Sequence, residues 1–370
     1  MTRVFLVAGE ASGDAHGAAL VRELRALDPK LKCEGLGGPK MADAGMALRH
    51  DLASSAIMGF VEVLKHLGPI RRLMLDTIAH IKTARPDVVV LIDYPGFNLR
   101  LAKALHGTGI PVVYYISPQV WAWKKGRIHA LKQYCRKMLV IFPFEVEIYQ
   151  RIGMDVAFVG HPLLEHIDAH QPDASVGGDP VIGLLPGSRA QEIERLLPPM
   201  IGAAREILRT HPRARFHTPC VNEARAAQIR ALAGDFPLEL RVGGMYGIVK
   251  TARFCLVASG TATLETALLG TPFIIVYRTN AVTFWLAKRL VDVAHIGIVN
   301  ILLGRRAVPE LLQDDATPNH LAAESLALLE DGPRRTTMLQ DFAELHTLLG
   351  GPGASHRAAE AVLACVQKQA

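Results

Sequence analysis

The sequence lacks any apolar run long and clean enough to cross a bilayer. Its longest apolar region, residues 254–277, carries Glu265 and is interrupted by Gly260, Gly270 and Pro272. Any membrane contact is therefore expected to be peripheral. The stretch 4–8 is too short for a signal-peptide core and runs straight into Gly9-Glu10, so export is not expected. Cysteines are few: Cys33, Cys135, Cys220, Cys255 and Cys365 are odd in number, far apart and free of any C-x-x-C pair. That excludes a disulfide framework and points to reduced packing residues in a cytosolic protein. A polybasic tail is missing too. The net charge of +6 favours an anionic partner, but the cations are scattered, with short clusters only at Arg71-Arg72 and Lys124-Lys125-Gly126-Arg127. Nucleic acid is not expected as that partner. Two nucleotide signatures are absent as well. No G-x-x-x-x-G-K-[ST] occurs, Gly35-Leu36-Gly37-Gly38 lacks a third dinucleotide-binding glycine, and Gly9, Gly13 and Gly17 are spaced by four.

What is present is an ordinary globular balance, 50% apolar and 21% charged, on a chain of 370 residues, beyond the size one core usually holds together. Short Val/Ile/Leu-rich runs at 4–8, 87–93, 110–116, 138–142 and 156–159 are apolar throughout, as strands buried on both faces of a parallel sheet should be. Between them, 69–83 shows a helical stripe of Ile70, Leu73, Met74, Ile78 and Ile81 behind Pro69. A polar Gly/Pro-rich segment at 171–180 reads as a linker. The pattern then restarts, with strands at 181–185, 215–218, 254–258 and 273–277 and a helix from about 190. Two βα arrays joined by one linker predict an α/β protein of two doubly wound domains facing a cleft. The expected boundaries are 1–170, 180–345 and a helical tail at 346–370 that packs back on the first domain.

Ligands of open α/β sheets bind beyond the carboxyl ends of strands. Four such loops carry chemistry. Pro186-Gly187-Ser188-Arg189 follows a buried strand and opens a helix, so its amides, Gly187 and the Arg189 guanidinium suit phosphate oxygens. A capped helix with a surface arginine is the alternative. Ser259-Gly260-Thr261-Ala262-Thr263 opens another helix with Glu265 one turn in, suiting a diphosphate and a ribose, or simply an N-cap with a capping glutamate. Two such loops in one domain favour a nucleotide site. In the first domain Glu10, Ser12, Asp14 and His16 follow the first strand, either as polar substrate ligands or as helix caps. Asp93 ends the run Val-Val-Val-Leu-Ile, at the edge of a dry core. It reads as a general base for a substrate hydroxyl or as a helix cap.

Two patterns are weaker. His161, Glu165, His166 and His170 complete no fixed metal signature, so a solvated helix end is the simpler reading. Trp121-Ala122-Trp123 beside Lys124-Lys125-Gly126-Arg127 suits single-stranded nucleic acid, a sugar or a lipid headgroup.

Seven motifs in order resemble the lipid-A-disaccharide synthase family, glycosyltransferase family 19, almost end to end. They are Val-Ala-Gly-Glu-Ala-Ser-Gly-Asp from Val7, Met-Gly-Phe-Val-Glu-Val-Leu from Met58, Ile-Asp-Tyr-Pro-Gly-Phe-Asn from Ile92, Tyr-Ile-Ser-Pro-Gln-Val-Trp-Ala-Trp from Tyr115, Leu-Leu-Pro-Gly-Ser-Arg from Leu184, Ala-Ser-Gly-Thr-Ala-Thr-Leu-Glu from Ala258 and Thr-Phe-Trp-Leu-Ala-Lys-Arg-Leu from Thr283. The resemblance implies a GT-B fold of two Rossmann-like domains and an inverting hexosyltransferase without a cofactor or metal. It would join UDP-2,3-diacylglucosamine to 2,3-diacylglucosamine 1-phosphate, giving a β-1,6-linked disaccharide 1-phosphate and UDP. It also implies a protein peripheral on the cytoplasmic face of a Gram-negative inner membrane, with anionic lipid as a partner; a homodimer is compatible. By resemblance Asp93 is the base and Arg189 an arginine needed for activity. Val61, Val63, Leu64, Leu67, Ile70 and Met74 match a surface for acyl chains. The candidate UDP set is Gly187, Ser188, Arg189, Met245, Ser259, Gly260, Thr261, Ala262, Thr263 and Glu265. The candidate acceptor set is Glu10, Ser12, Gly13, Asp14, Asn98, Gln119 and Trp121. Where the family commonly has a small residue and a carboxylate after the aspartate, this chain has Tyr94-Pro95-Gly96. Other readings are a GT-B enzyme using UDP-N-acetylglucosamine, such as a lipid II-type transferase or a 2-epimerase, and a binding protein without turnover.

Overall fold

The structure is a computed structural model that describes residues 1–53, 67–118, 120, 126–167, 179–280 and 295–367. The chain forms two compact units, Met1–Glu165 with Leu349–Ala370, and His166–Leu348.

Unit 1 is built on a 7-stranded parallel sheet of order β3-β2-β1-β4-β5-β6-β7. Its strands are β1 (Arg3–Ala8), β2 (Lys32–Gly37), β3 (Ala47–Asp51), β4 (Val88–Ile92), β5 (Val112–Tyr115), β6 (Lys137–Val140) and β7 (Val156–Phe158). The helices are α1 (Ala11–Leu27), α2 (Pro39–Asp43), α3 (Leu67–Ala84), α4 (Pro95–Leu105), α5 (Arg127–Tyr134), α6 (Phe144–Gln150) and α7 (Leu163–Ile167). β4 reads Val-Val-Val-Leu-Ile and is buried at every position, because β1 and β5 flank it and helices cover both faces. Each such side chain contributes about 1.5–3 kcal/mol of burial, which fixes the strand's register and so the place where its end emerges.

Two strands of this sheet were not expected from the sequence. β2 (Lys-Cys-Glu-Gly-Leu-Gly) carries charge and glycine, and β3 lies at the sheet edge and is largely exposed. Neither has the apolar signature of a strand buried on both faces.

Unit 2 holds a 6-stranded parallel sheet of order β10-β9-β8-β11-β12-β13. Its strands are β8 (Val181–Leu185), β9 (Arg215–Cys220), β10 (Leu238–Val242), β11 (Phe254–Ala258), β12 (Phe273–Tyr277) and β13 (Glu310–Leu312). Its helices are α8 (Ala190–Thr210), α9 (Glu223–Ala233), α10 (Met245–Thr251), α11 (Thr261–Leu268), α12 (Ile298–Leu303), α13 (Pro318–Leu329) and α14 (Pro333–Leu348). β8 and β11 are central and fully buried. α8 packs on α13 at a glycine: a Cβ on Gly202 would come within 2.7 Å of the Pro318 ring.

The last helix, α15 (Ala354–Gln367), belongs to unit 1, where it packs on α1 and touches β4 and β6. Glu165 holds its start, accepting from the Ser355 amide at 2.6 Å and the Ser355 hydroxyl at 2.7 Å. A carboxylate there meets the donor-rich end of the helix dipole. Arg357 adds a bond from Nε to the Val159 carbonyl at 2.7 Å.

Candidate active site

Asp93 sits one residue past β4, where the chain turns sharply. Both Asp93 (φ 45°) and Tyr94 (φ 47°) are left-handed, a conformation uncommon outside glycine and strained for a bulky aromatic residue. Pro95 disfavours the right-handed helical region for Tyr94, and three bonds fix Asp93 itself. Its amide donates to the Tyr115 carbonyl at 3.0 Å; its carbonyl accepts from the Tyr114 hydroxyl at 2.6 Å and from Asn98 Nδ2 at 2.8 Å. The carboxyl group makes none of these bonds. Burial first, and then the charge of Glu10, push it up to about 6. A carboxylate tuned this way is a competent proton acceptor near neutral pH.

The rest of the candidate acceptor set divides. Glu10 and Ser12 are exposed at the start of α1, and Gly13 is buried against Ala8. Asp14 is a correction. Its carboxylate is buried and accepts from the amides of Gly38 (2.8 Å), Lys40 (3.0 Å) and Met41 (3.0 Å), capping α2. With those lone pairs occupied it holds the β2–α2 turn rather than facing a sugar. Asn98 is a second correction. It is fully buried, and its amide donates to the carbonyls of Ile92 (3.2 Å) and Asp93, so it holds the turn that carries Asp93. Gln119 and Trp121 lie outside the described residues.

Among the described residues, no group of His, Cys, Asp and Glu gathers that could hold a metal ion. His161 is buried against Phe142, and its Nδ1 accepts from the Leu163 amide at 3.2 Å. Burial, then the neighbouring His16, press it down to about 3, so it is neutral with its proton on Nε2. Glu165 is committed to Ser355. His170 lies outside the described residues, as does the side chain of His166.

In unit 2, Gly187 takes φ +105°, which only glycine adopts without strain, and a Cβ there would collide with the Glu192 side chain. Ser188 is exposed. Arg189 opens α8; its guanidinium is 83% exposed and rests on Glu192 at 3.0 Å, while Glu192 also accepts from the Arg189 amide at 3.3 Å. A side chain that exposed is free to turn towards an arriving anion. The second loop, from Ser259 to Thr263, is built differently. Among the described residues no side chain caps the start of α11, and none lies within 4 Å of where a Cβ on exposed Gly260 would stand. Buried Thr263 folds its hydroxyl back on the Gly260 carbonyl at 2.7 Å, and Ser259 and Ala262 are half-buried. The amides of an uncapped helix start are donors for an anion. Glu265 follows, half-buried, its carboxyl raised by burial.

Met245 opens α10 behind two left-handed glycines, Gly243 and Gly244. Its neighbour Tyr246 was not foreseen. Burial and then the charge of Glu265 push its hydroxyl up to about 12, so both groups share one patch. Nineteen residues separate them in sequence, with no periodic signal to link them.

The sequence matches the lipid-A-disaccharide synthetase family over residues 4–364. It is 41% identical over 376 residues to the lipid-A-disaccharide synthase of Geobacter sulfurreducens, covering 99% of this chain and 98% of that protein. For the enzyme of Syntrophus aciditrophicus the identity is 42% over 375 residues, with the same coverage. The chain belongs to the lipid-A-disaccharide synthase family. It is a glycosyltransferase of lipid A biosynthesis.

Among solved structures, a UDP-N-acetylglucosamine 2-epimerase from Neisseria meningitidis matches with TM-score 0.67 at 12% identity, over 98% of this chain and all of that one. The calicheamicin glycosyltransferase CalG4 matches with TM-score 0.63 at 16% identity, over 100% and 99%. These likenesses show the fold, GT-B, and nothing of the substrate.

The acyl-chain surface expected of a lipid-A-disaccharide synthase is only partly within view. Val61, Val63 and Leu64 lie outside the described residues; Leu67 begins α3, its side chain outside them. Ile70 and Met74 pack inward on the unit 1 core, leaving Leu75, 56% exposed beside Arg71 and Arg72, as an apolar residue on the open face of α3. Among the described residues no helix is long and apolar enough to cross a membrane.

Proposed function

We propose that the enzyme transfers 2,3-diacylglucosamine from its UDP form to the 6-hydroxyl of 2,3-diacylglucosamine 1-phosphate. The product is the β-1,6-linked disaccharide 1-phosphate, and UDP leaves. Asp93 takes the proton of the attacking hydroxyl as its oxygen bonds to the donor's anomeric carbon. The bond from that carbon to the UDP phosphate breaks with its electron pair going to UDP. One displacement inverts the centre, so one base and one stabilised leaving group suffice. Arg189 and the amides at Gly187–Ser188 and Thr261–Thr263 disperse the charge of departing UDP, with no step assigned to a metal. Glu265 accepts from the ribose hydroxyls, and Met245 lies along the nucleoside.

The observation that carries this reading is Asp93, a carboxyl fixed by its backbone, partly withdrawn from water and poised near pH 6. The net charge of +6 suits phosphate on both substrates and anionic lipid at the inner face of the membrane. Mixing both acylated substrates with the enzyme should release UDP. Asp93→Asn should bind UDP and fail to turn over. Equal loss of binding and turnover would make Asp93 a structural residue and end the base assignment.

A further inference from the structure

β8 and β9 are parallel neighbours, with Gly183 in register with His217, and each runs through a short turn into a helix, α8 and α9. The two helices pack on each other. At the start of α9, Asn222 accepts from the Arg225 amide at 3.0 Å, so Arg225 stands at a fixed point in the first turn. Its guanidinium donates to Gln228 Oε1, three residues on and on the same helix face. The other end of that amide, Gln228 Nε2, donates to the carbonyl oxygen of Ala190 at 3.0 Å. Ala190 is the first residue of α8 and follows Arg189 directly. Both side chains of this relay are half-buried. The partners set the orientation of the Gln228 amide, since a guanidinium only donates and a carbonyl only accepts. The position therefore asks for a tip that carries one acceptor and one donor, which glutamate, methionine and lysine do not supply.

We infer that Gln228 is a positioning residue for the diphosphate: by bonding the Ala190 carbonyl it fixes the first turn of α8, and with it the backbone from Gly187 to Arg189. This rests on the reading of that loop as part of the UDP site. Other features of the loop allow movement. Gly187, at φ +105°, brings the conformational freedom of glycine, and Ser188 is exposed. The Arg189 guanidinium is tied to Glu192 by a bond that it gives up on turning to an anion. Gln228 bonds to backbone instead, so its hold persists through that turn. A carbonyl oxygen has two lone pairs, and the bond from Gln228 adds to the one that Ala190 accepts within α8. Amides held in place this way meet an anion without the ordering cost that a loose turn would carry. Arg225 acts one step further back, by keeping the amide oxygen of Gln228 engaged.

The test measures UDP and uridine binding to the full-length protein, by calorimetry and by ligand-observed NMR. Gln228→Met has the length and neutrality of glutamine without its polar ends. It should raise the UDP Kd about threefold to tenfold, the worth of one hydrogen bond. The uridine Kd should stay where it is, since uridine carries no phosphate. Gln228→Glu keeps the Arg225 bond but has no proton for the Ala190 carbonyl, so it should weaken UDP at least as much. Arg225→Met frees the amide and should also weaken UDP and spare uridine; it decides the matter if the Gln228 variants do not fold. UDP bound by the folded variants as tightly as by the wild type overturns the inference. So does an equal loss of UDP and uridine, which would make Gln228 a residue of the fold alone. Arg189→Ala tests the underlying reading. If it binds UDP as the wild type does, the phosphate loop is misassigned and the inference falls with it. If it loses UDP while Gln228→Met does not, the inference falls alone.

Discussion

Asn98 donates from its buried amide to the carbonyl oxygen of Asp93 at 2.8 Å, and the same oxygen receives the Tyr114 hydroxyl at 2.6 Å. Two neutral donors therefore converge on the Asp93 carbonyl, and neither bonds to its carboxyl group. The turn is held without neutralising the group it presents.

Asn98→Ala removes one of those donors from a dry site. It should destabilise the protein by about 2–3 kcal/mol and lower turnover, while UDP affinity, which the proposed function assigns to unit 2, stays put. Urea melts and UDP calorimetry check both halves. A loss of turnover with no loss of stability would mean that Asn98 touches substrate.

The raised pKa of Asp93 has a thermodynamic side. A carboxyl that ionises less readily in the folded state than in the unfolded chain favours folding while protonated. That contribution disappears as pH rises from about 4 through about 6. At neutral pH Asp93 therefore costs stability, and Asp93→Asn should raise unfolding free energy by about 1–2 kcal/mol at pH 7.5 and by little near pH 4. Denaturation at the two pH values measures it. A destabilised Asp93→Asn at pH 7.5 would contradict the burial of this carboxyl.

Arg189 is exposed and, among the described residues, its guanidinium is tied only to Glu192, so its removal should leave folding within about 0.5 kcal/mol. Arg189→Ala should cut turnover by about a hundredfold, with Arg189→Lys restoring little, because an ammonium does not reproduce the planar fork. With Arg189 as the proposed leaving-group cation, a chelator should leave the wild-type rate where it is. A large drop with chelator would shift the leaving-group role to a metal.

Asp14→Ala separates structure from recognition. Three amides lose their acceptor in the buried β2–α2 turn, at an expected cost of about 3–5 kcal/mol, visible as a lower Tm. Acceptor KM, measured on the folded fraction, should not change. A selective rise in KM would return Asp14 to the substrate.

The central strands were legible because β4, β8 and β11 are buried on both faces and read as unbroken apolar runs. β2, β3, β10 and β13 were not, being short, charged, glycine-bearing or at the edge. Asp93 could be picked out because polarity begins abruptly where β4 stops. Asp14 and Asn98 looked like ligands because a polar side chain after a strand looks the same whether it meets a sugar or a distant amide. The amides that occupy Asp14 lie 24 to 27 residues away, and no local pattern announces them. The bond from Gln228 to Ala190 likewise spans 38 positions, and a glutamine inside a helix gives no sign of it.

The bond between Glu165 and Ser355 also sets an order of events during synthesis. α15 emerges from the ribosome after all of unit 2, yet it completes unit 1. The faces of α1, β4 and β6 that it covers are therefore exposed through the whole translation of residues 166–348. Unit 1 is therefore whole only once the last helix has left the ribosome, after every residue of unit 2 has been made.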